Sequence, residues 1–167
     1  MTIEEAIKTA IEFETRIRDI YQEATAAVDD EVGKRIFETL CKDEQHHIDY
    51  LQHKLRQLQD TGTIVPERLD SIVPSQEVVN REAEKVKSLV AKDFLGIKRQ
   101  MLSKALETEI ETSDFYQKMV NELPAEGRAL FERFLEIENN HIKAVQFELD
   151  YLSKTGYWFD IKEFDME

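Results

Sequence analysis

Apolar residues recur along this chain at alternating spacings of three and four, the period of a helix that buries one face. The first stripe runs Ile3, Ile7, Ala10, Glu14, Ile17, Tyr21, Ala24 and Val28, and the second Phe37, Leu40, Glu44, His47, Leu51 and Leu58. A third gives Leu102, Ala105, Glu109, Thr112, Tyr116 and Met119, and a fourth Phe131, Phe134, Glu138, His141, Val145 and Leu152. The pattern predicts long helices over about Thr2 to Val28, Glu31 to Asp60, Gly96 to Glu122 and Pro124 to Lys154. Their ends carry local signals. Thr2 with Glu5 reads as a capping box, Asp29 and Asp30 break the first helix, and Thr61-Gly62 stops the second. Pro124 suits a helix start and Gly156 a stop. Residues 61–95 form a connection with two prolines and a shorter helical pattern from about Ser75 to Phe94, and residues 156–167 a tail.

The two halves repeat. A shift of 95 superposes Ala10, Glu14 and Tyr21 on Ala105, Glu109 and Tyr116. A shift of 94 superposes Gly33, Phe37, Glu44, His47, Leu55, Leu58 and Thr61-Gly62 on Gly127, Phe131, Glu138, His141, Leu149, Leu152 and Thr155-Gly156. Short loops make the partners within each half antiparallel. A helix of about 27 residues is ~40 Å long, and the long connection returns the chain over that distance. The expected fold is therefore all-α: a ferritin-like four-helix bundle of two repeated hairpins, about 2–60 and 96–155, joined by a crossover that contains a short helix. At 167 residues the chain is expected to form one domain.

Composition narrows the partners. Five glycines and three prolines are too few for an all-β fold rich in tight turns. The formal charge of -13 disfavours nucleic acid and anionic membranes and favours cations. No apolar run approaches the ~20 residues that span a bilayer, and the acidic, helix-patterned start is unlike a secretion signal, so a cytoplasmic location is expected. The lone Cys41 allows neither an internal disulfide nor a four-cysteine iron site and reads as a buried thiol.

The chemistry lies in the polar residues that interrupt the stripes. Glu44 with His47 and Glu138 with His141 are Glu-x-x-His pairs, and Glu14 and Glu109 occupy the same stripe in the other two helices. Each sits mid-helix, where residues from neighbouring helices converge at one level. Glu12 and Glu107 also match across the repeat but fall off the stripe and read as surface. Of the four histidines, only His47 meets another histidine under the repeat. Four ionised carboxylates in an apolar interior would lose hydration and repel one another, whereas two divalent cations bring four positive charges against them. Glu at i and His at i+3 face one side of a helix, so one can bridge two ions while the other completes the coordination of one. Oxygen-rich ligation with one imidazole per ion suits Fe or Mn, with Zn as a substitute. Tyr21 and Tyr116 lie two turns beyond Glu14 and Glu109 and read either as core aromatics or as donors that orient ligating carboxylates. Asp43 reads as a partner for the free imidazole nitrogen of His141; its repeat mate is Ile137, which makes the two metal positions unequal.

Taken as a set, Glu14 with Tyr21, Glu44-Gln-His-His47, Glu109 with Tyr116, and Glu138-Asn-Asn-His141 resemble the rubrerythrin branch of the ferritin-like superfamily, over about residues 3–62 and 98–156. The resemblance implies two Fe ions: Glu14 and His47 would serve one, Glu109 and His141 the other, with Glu44 and Glu138 bridging. It implies reduction of peroxide or dioxygen, with electrons from a separate donor such as a rubredoxin-like protein, because the single cysteine cannot build a rubredoxin domain here. Where typical rubrerythrins carry an additional glutamate, this chain has Thr112, which brings it closer to the six-ligand site of bacterioferritin-like proteins. The alternative is accordingly a ferroxidase, or an iron-binding or iron-storage protein. A homo-oligomer is expected, with a dimer favoured. The aromatic tail, Tyr157, Trp158, Phe159 and Phe164, serves either subunit contacts or packing on its own bundle.

Overall fold

A computed structural model describes residues 1–65, 67–73 and 96–159. Among them lie four helices: α1 (Ile3–Ala27), α2 (Glu31–Thr61), α3 (Gly96–Glu122) and α4 (Ala125–Thr155). The helical pattern at Ser75 to Phe94 and the tail residue Phe164 fall outside the described residues. The start of α2 and both ends of α3 fall where the sequence places them, and the other helix ends shift by one residue. Thr2 and Val28 are caps rather than members of α1, and Pro124 is the N-cap of α4. The capping box forms in full: the Glu5 N–H donates to Thr2 Oγ1 at 3.1 Å, and the Thr2 N–H to Glu5 Oε2 at 2.8 Å. α2 and α4 both stop at a glycine in the left-handed region, Gly62 at φ 76° and Gly156 at φ 75°, where a side chain would be strained.

Short loops fold α2 back along α1 and α4 back along α3, and α1 lies beside α3. These contacts make a ferritin-like four-helix bundle. Its apolar core is divided. One cluster gathers Ile17, Tyr21, Phe37, Leu40, Leu102 and Leu152, and the other Ile7, Leu51, Tyr116, Met119, Phe131 and Phe134. Between them every helix contributes buried polar side chains, so the sequence stripe becomes two oily layers with a charged one in the middle. No helix among the described residues is long and apolar enough to cross a membrane.

Residues following each hairpin fold back onto it. The segment after α2 is fastened by the Tyr50 hydroxyl, which donates to the Glu67 carbonyl at 2.8 Å, and by Arg133 Nε, which donates to the Leu69 carbonyl at 2.9 Å. Lys54, fully buried, donates to the Val65 carbonyl. Its repeat mate Glu148 is also buried and accepts the Phe159 N–H at 3.1 Å. The two halves thus hold their trailing segments from one position with opposite polarity, a lysine for a carbonyl and a glutamate for an amide. Trp158 packs edge-on against Phe37 at 5.5 Å, and Phe159 against Phe147 at 5.1 Å, while Tyr157 is exposed. The described part of the tail therefore packs on its own bundle. Gly33 makes room for it, since a Cβ there would stand 2.8 Å from Trp158 Nε1.

Asp30 ties three parts of the chain together. Its carboxylate caps α2 through the Gly33 N–H at 2.9 Å and pairs with Lys98 of α3 at 3.3 Å. Partial burial pushes this carboxyl up, but the Gly33 N–H, Trp158 and Lys98 outweigh it and hold the group below its usual range. Asp30→Ala is expected to lower stability at pH 7 by about 1 kcal/mol in urea denaturation. A depressed folded-state pKa stabilises above the unfolded value of about 3.9, so the difference between variant and wild type shrinks as pH falls through the folded value.

Candidate metal centre

The midsection of the bundle brings the six stripe residues together. Glu14 on α1, Glu44 and His47 on α2, Glu109 on α3, and Glu138 and His141 on α4 are all fully buried. Glu12, Glu107, His46 and His53 are exposed. Ligand atoms of Glu14, Glu44, His47 and Glu138 lie within 4.8 Å of one another, and so do those of Glu44, Glu109, Glu138 and His141. The two groups share Glu44 and Glu138, so the cluster is a pair of overlapping four-atom cages. His47 Nδ1 is 3.3 Å from Glu14 Oε2 and 3.1 Å from Glu44 Oε2, while His141 Nδ1 is 2.7 Å from Glu44 Oε1 and 3.6 Å from Glu109 Oε1. Both imidazoles thus turn Nδ1 inward, and their rings stack at 5.4 Å.

The tyrosines cross between the repeats. Tyr21 of α1 donates its hydroxyl to Glu109 of α3, and Tyr116 of α3 donates to Glu14 of α1. Each glutamate is therefore oriented by the tyrosine of the other half. Burial, and then the facing Glu109 or Glu14 charge, pushes both phenols well above their ordinary value, so they remain donors.

The outward Nε2 atoms meet Asp43. His141 Nε2 lies 2.7 Å from Asp43 Oδ2, and His47 Nε2 lies 3.7 Å from the same atom. Asp43, His47 and His141 also fall within ligand distance of one another. The hydrogen bond to His141 identifies Asp43 as an outer support of that imidazole, because a ring that donates through Nε2 offers its lone pair through Nδ1. The sequence did not reveal what holds Asp43: Ser71 Oγ donates to Oδ2 at 2.6 Å and the Ile72 N–H to Oδ1 at 3.1 Å, from the connection between hairpins. It also missed Ser113, which donates to Asn139 at 2.8 Å and joins α3 to α4 beside Glu138. Neither pairing has a signal in periodicity. Thr112 is buried and donates its hydroxyl to the Thr108 carbonyl at 2.8 Å, so that position adds no carboxylate to the cluster.

Electrostatics show how strongly the cluster needs positive charge. Burial, with the Glu14 and Glu109 carboxylates, pushes Glu44 up to about 8 against the pull of His141. Burial and the Glu14, Glu109 and Glu44 charges drive Glu138 well above the carboxylate range. Burial would lower His47, but Glu14 and Glu44 push it up to about 10; Glu44 and Glu138 act likewise on His141. Glu14 is instead held low, burial being outweighed by its bonds to Glu44 and His47. Without metal, the chain neutralises its carboxylates by holding protons. Glu109 Oε2 and both Glu138 oxygens have no hydrogen-bond partner among the described residues, and Glu44 Oε1 and His141 Nδ1 meet only each other, as an ion pair at 2.7 Å. Buried, mutually repelling carboxylate oxygens beside two imidazole Nδ1 atoms, whose protons a metal would displace, are a donor set that fits hard or borderline divalent cations.

This bundle, with its charged layer of carboxylates and histidines, defines a ferritin-like protein with a buried cluster that could hold metal. The Rubrerythrin family model matches residues 5–148, and the chain belongs to that family. Among solved structures it is similar to a ferritin-like, diiron-carboxylate protein from Bacillus anthracis str. Ames, at 25% identity and a TM-score of 0.57, over 88% of this chain and 94% of that one. No curated protein matches it.

Proposed function

We propose that the chain is a non-haem di-iron oxidoreductase that reduces peroxide, or dioxygen, with electrons from a separate donor such as a rubredoxin-like protein. The observation that carries this reading is the pair of four-atom cages sharing Glu44 and Glu138. Glu14 and His47 would hold one ion, Glu109 and His141 the other, with Glu44 and Glu138 between them. A bound iron pair supplies the two redox equivalents needed to convert hydrogen peroxide and two protons into two waters. The protein supplies position and exclusion. Tyr21 and Tyr116 fix the rotamers of Glu109 and Glu14, Asp43 fixes the ring of His141, and the apolar layers above and below keep bulk water out. The family match and the diiron-carboxylate description of the Bacillus anthracis protein support iron as the metal.

Thr112 favours a second reading, ferroxidation, because a six-ligand cluster is what the bacterioferritin-like proteins were expected to share with this chain. Stopped-flow spectra of the anaerobic Fe(II)-loaded protein separate the two. Peroxide is expected to oxidise the bound iron faster than oxygen does. If peroxide leaves the spectrum unchanged while oxygen with excess Fe(II) turns over, the protein is a ferroxidase. Particle size adds a check: a dimer accords with the oxidoreductase, a 24-subunit shell with storage.

A further inference from the structure

The duplicated hairpins supply every cluster residue twice except Asp43, whose counterpart is Ile137. Two imidazoles therefore face one outer carboxylate, and its Oδ2 stands 2.7 Å from His141 Nε2 but 3.7 Å from His47 Nε2. Only the first is a hydrogen bond, and His47 Nε2 is left without a partner among the described residues. The choice is not made within the helices. Ser71 Oγ donates to the same Oδ2 at 2.6 Å, and the Ile72 N–H takes the other oxygen at 3.1 Å. The Val73 N–H donates to Ser71 Oγ at 3.2 Å, which leaves the serine proton to Asp43. Tyr50 and Arg133 fasten the preceding backbone at Glu67 and Leu69, so Ser71 is placed independently of the carboxylate it holds.

We infer that Ser71 is a positioning residue that commits Asp43 to His141 and so makes the two metal positions unequal, the one at Glu109 and His141 being the tighter. This inference rests on the metal-centre reading above. An imidazole whose distal N–H is held by a carboxylate is the more basic ligand, and such outer partners change metal affinity by about 10–100-fold. His47 lacks that support. Without the serine hydroxyl, the Ile72 N–H still fixes Oδ1 but nothing besides the imidazoles holds Oδ2, so that oxygen can turn to either ring and the difference between positions should shrink from both sides.

The test compares first-ion affinities for Co(II), read from its visible spectrum, in His47→Ala and His141→Ala proteins. With Ser71 intact, the protein retaining His141 is expected to bind roughly tenfold more tightly than the one retaining His47. Adding Ser71→Ala should bring the ratio below about threefold, and adding Ser71→Thr, which keeps the hydroxyl, should leave it near tenfold. A ratio of one with Ser71 intact, or a ratio that Ser71→Ala does not change, overturns the inference. A second readout keeps both histidines: with one equivalent of Zn(II), ring nitrogen resonances of otherwise unaltered protein should show His141 Nδ1 coordinated ahead of His47, and equal occupancy of the two rings would also overturn it. Should the unaltered protein take up neither Co(II) nor Zn(II), it is the metal-centre reading that fails.

Discussion

Glu138→Met is expected to make the metal-free protein more stable while abolishing its response to metal. Both Glu138 oxygens are without hydrogen-bond partners among the described residues, and the side chain is fully buried. Burial and three neighbouring glutamates already force it toward the neutral acid. Methionine has a similar shape and no polar atom to leave unsatisfied, so the exchange removes a cost of about 1–3 kcal/mol for burying unpartnered oxygens. For a chain of this length that corresponds to a rise of roughly 4–8 °C in melting temperature for ~2 kcal/mol. Calorimetry of chelator-treated protein reads the rise, and metal analysis reads the loss of bound ions. Ordinary core truncations would lower the melting temperature, so the sign alone separates a residue kept for metal from one kept for packing. A variant less stable than wild type without metal would show that Glu138 contributes to folding, contrary to this account.

The second large effect is stabilisation by metal. Anaerobic Fe(II) or Mn(II) at 1,000 times its dissociation constant should stabilise the fold by about 4 kcal/mol, or roughly 8–16 °C. Glu14→Ala and His141→Ala should each lose most of that shift, measured by thermal melts with and without the ion. The pH dependence should reverse between the two forms. In the metal-free chain Glu44 titrates at about 8 rather than 4.5, and His47 at about 10 rather than 6.5. Both groups bind protons more tightly folded than unfolded. What these two groups contribute to metal-free stability is thus lost as pH rises, through Glu44 between 4.5 and about 8 and through His47 between 6.5 and about 10. Metal must displace those same protons, so metal-dependent stabilisation should instead grow with pH across the neutral range. If both forms lost stability together as pH rose, protons and metal would not be competing for these side chains.

The trailing segments show where one-dimensional reading stops. The second stripe passes from Leu51 to Leu58 without Lys54, because hydrophobic periodicity gives no reason to bury a lysine. The structure buries the lysine fully because the Val65 carbonyl lies close enough to accept its proton. Its mate Glu148 is buried for the complementary reason, an amide from Phe159. A charged side chain enters a core only where a partner is waiting, and the partner's position belongs to the folded chain.

Helix ends were legible because capping is local: Thr2 with Glu5, Asp30 with Gly33, and Gly62 and Gly156 all act within one turn of the residues that signal them. The convergence of Glu14, Glu44, His47, Glu109, Glu138 and His141 was legible too, since helical periodicity sets the face and duplication sets the level. Two hairpins of one pattern have to bring equal positions to one height. What periodicity cannot carry is the choice of partner across a gap. Tyr21 lies on the helix of Glu14 yet bonds Glu109, and Tyr116 does the reverse, because hydroxyls reach across the bundle to a neighbouring helix. Ser71 is 28 residues from Asp43 in sequence and 2.6 Å from it in space. The sequence by itself determined the helices, the buried stripe and the chemical nature of the charged layer; tertiary structure alone decided which hydrogen bond each of those groups makes, because such bonds are fixed by tenths of an ångström between segments that no short-range rule connects.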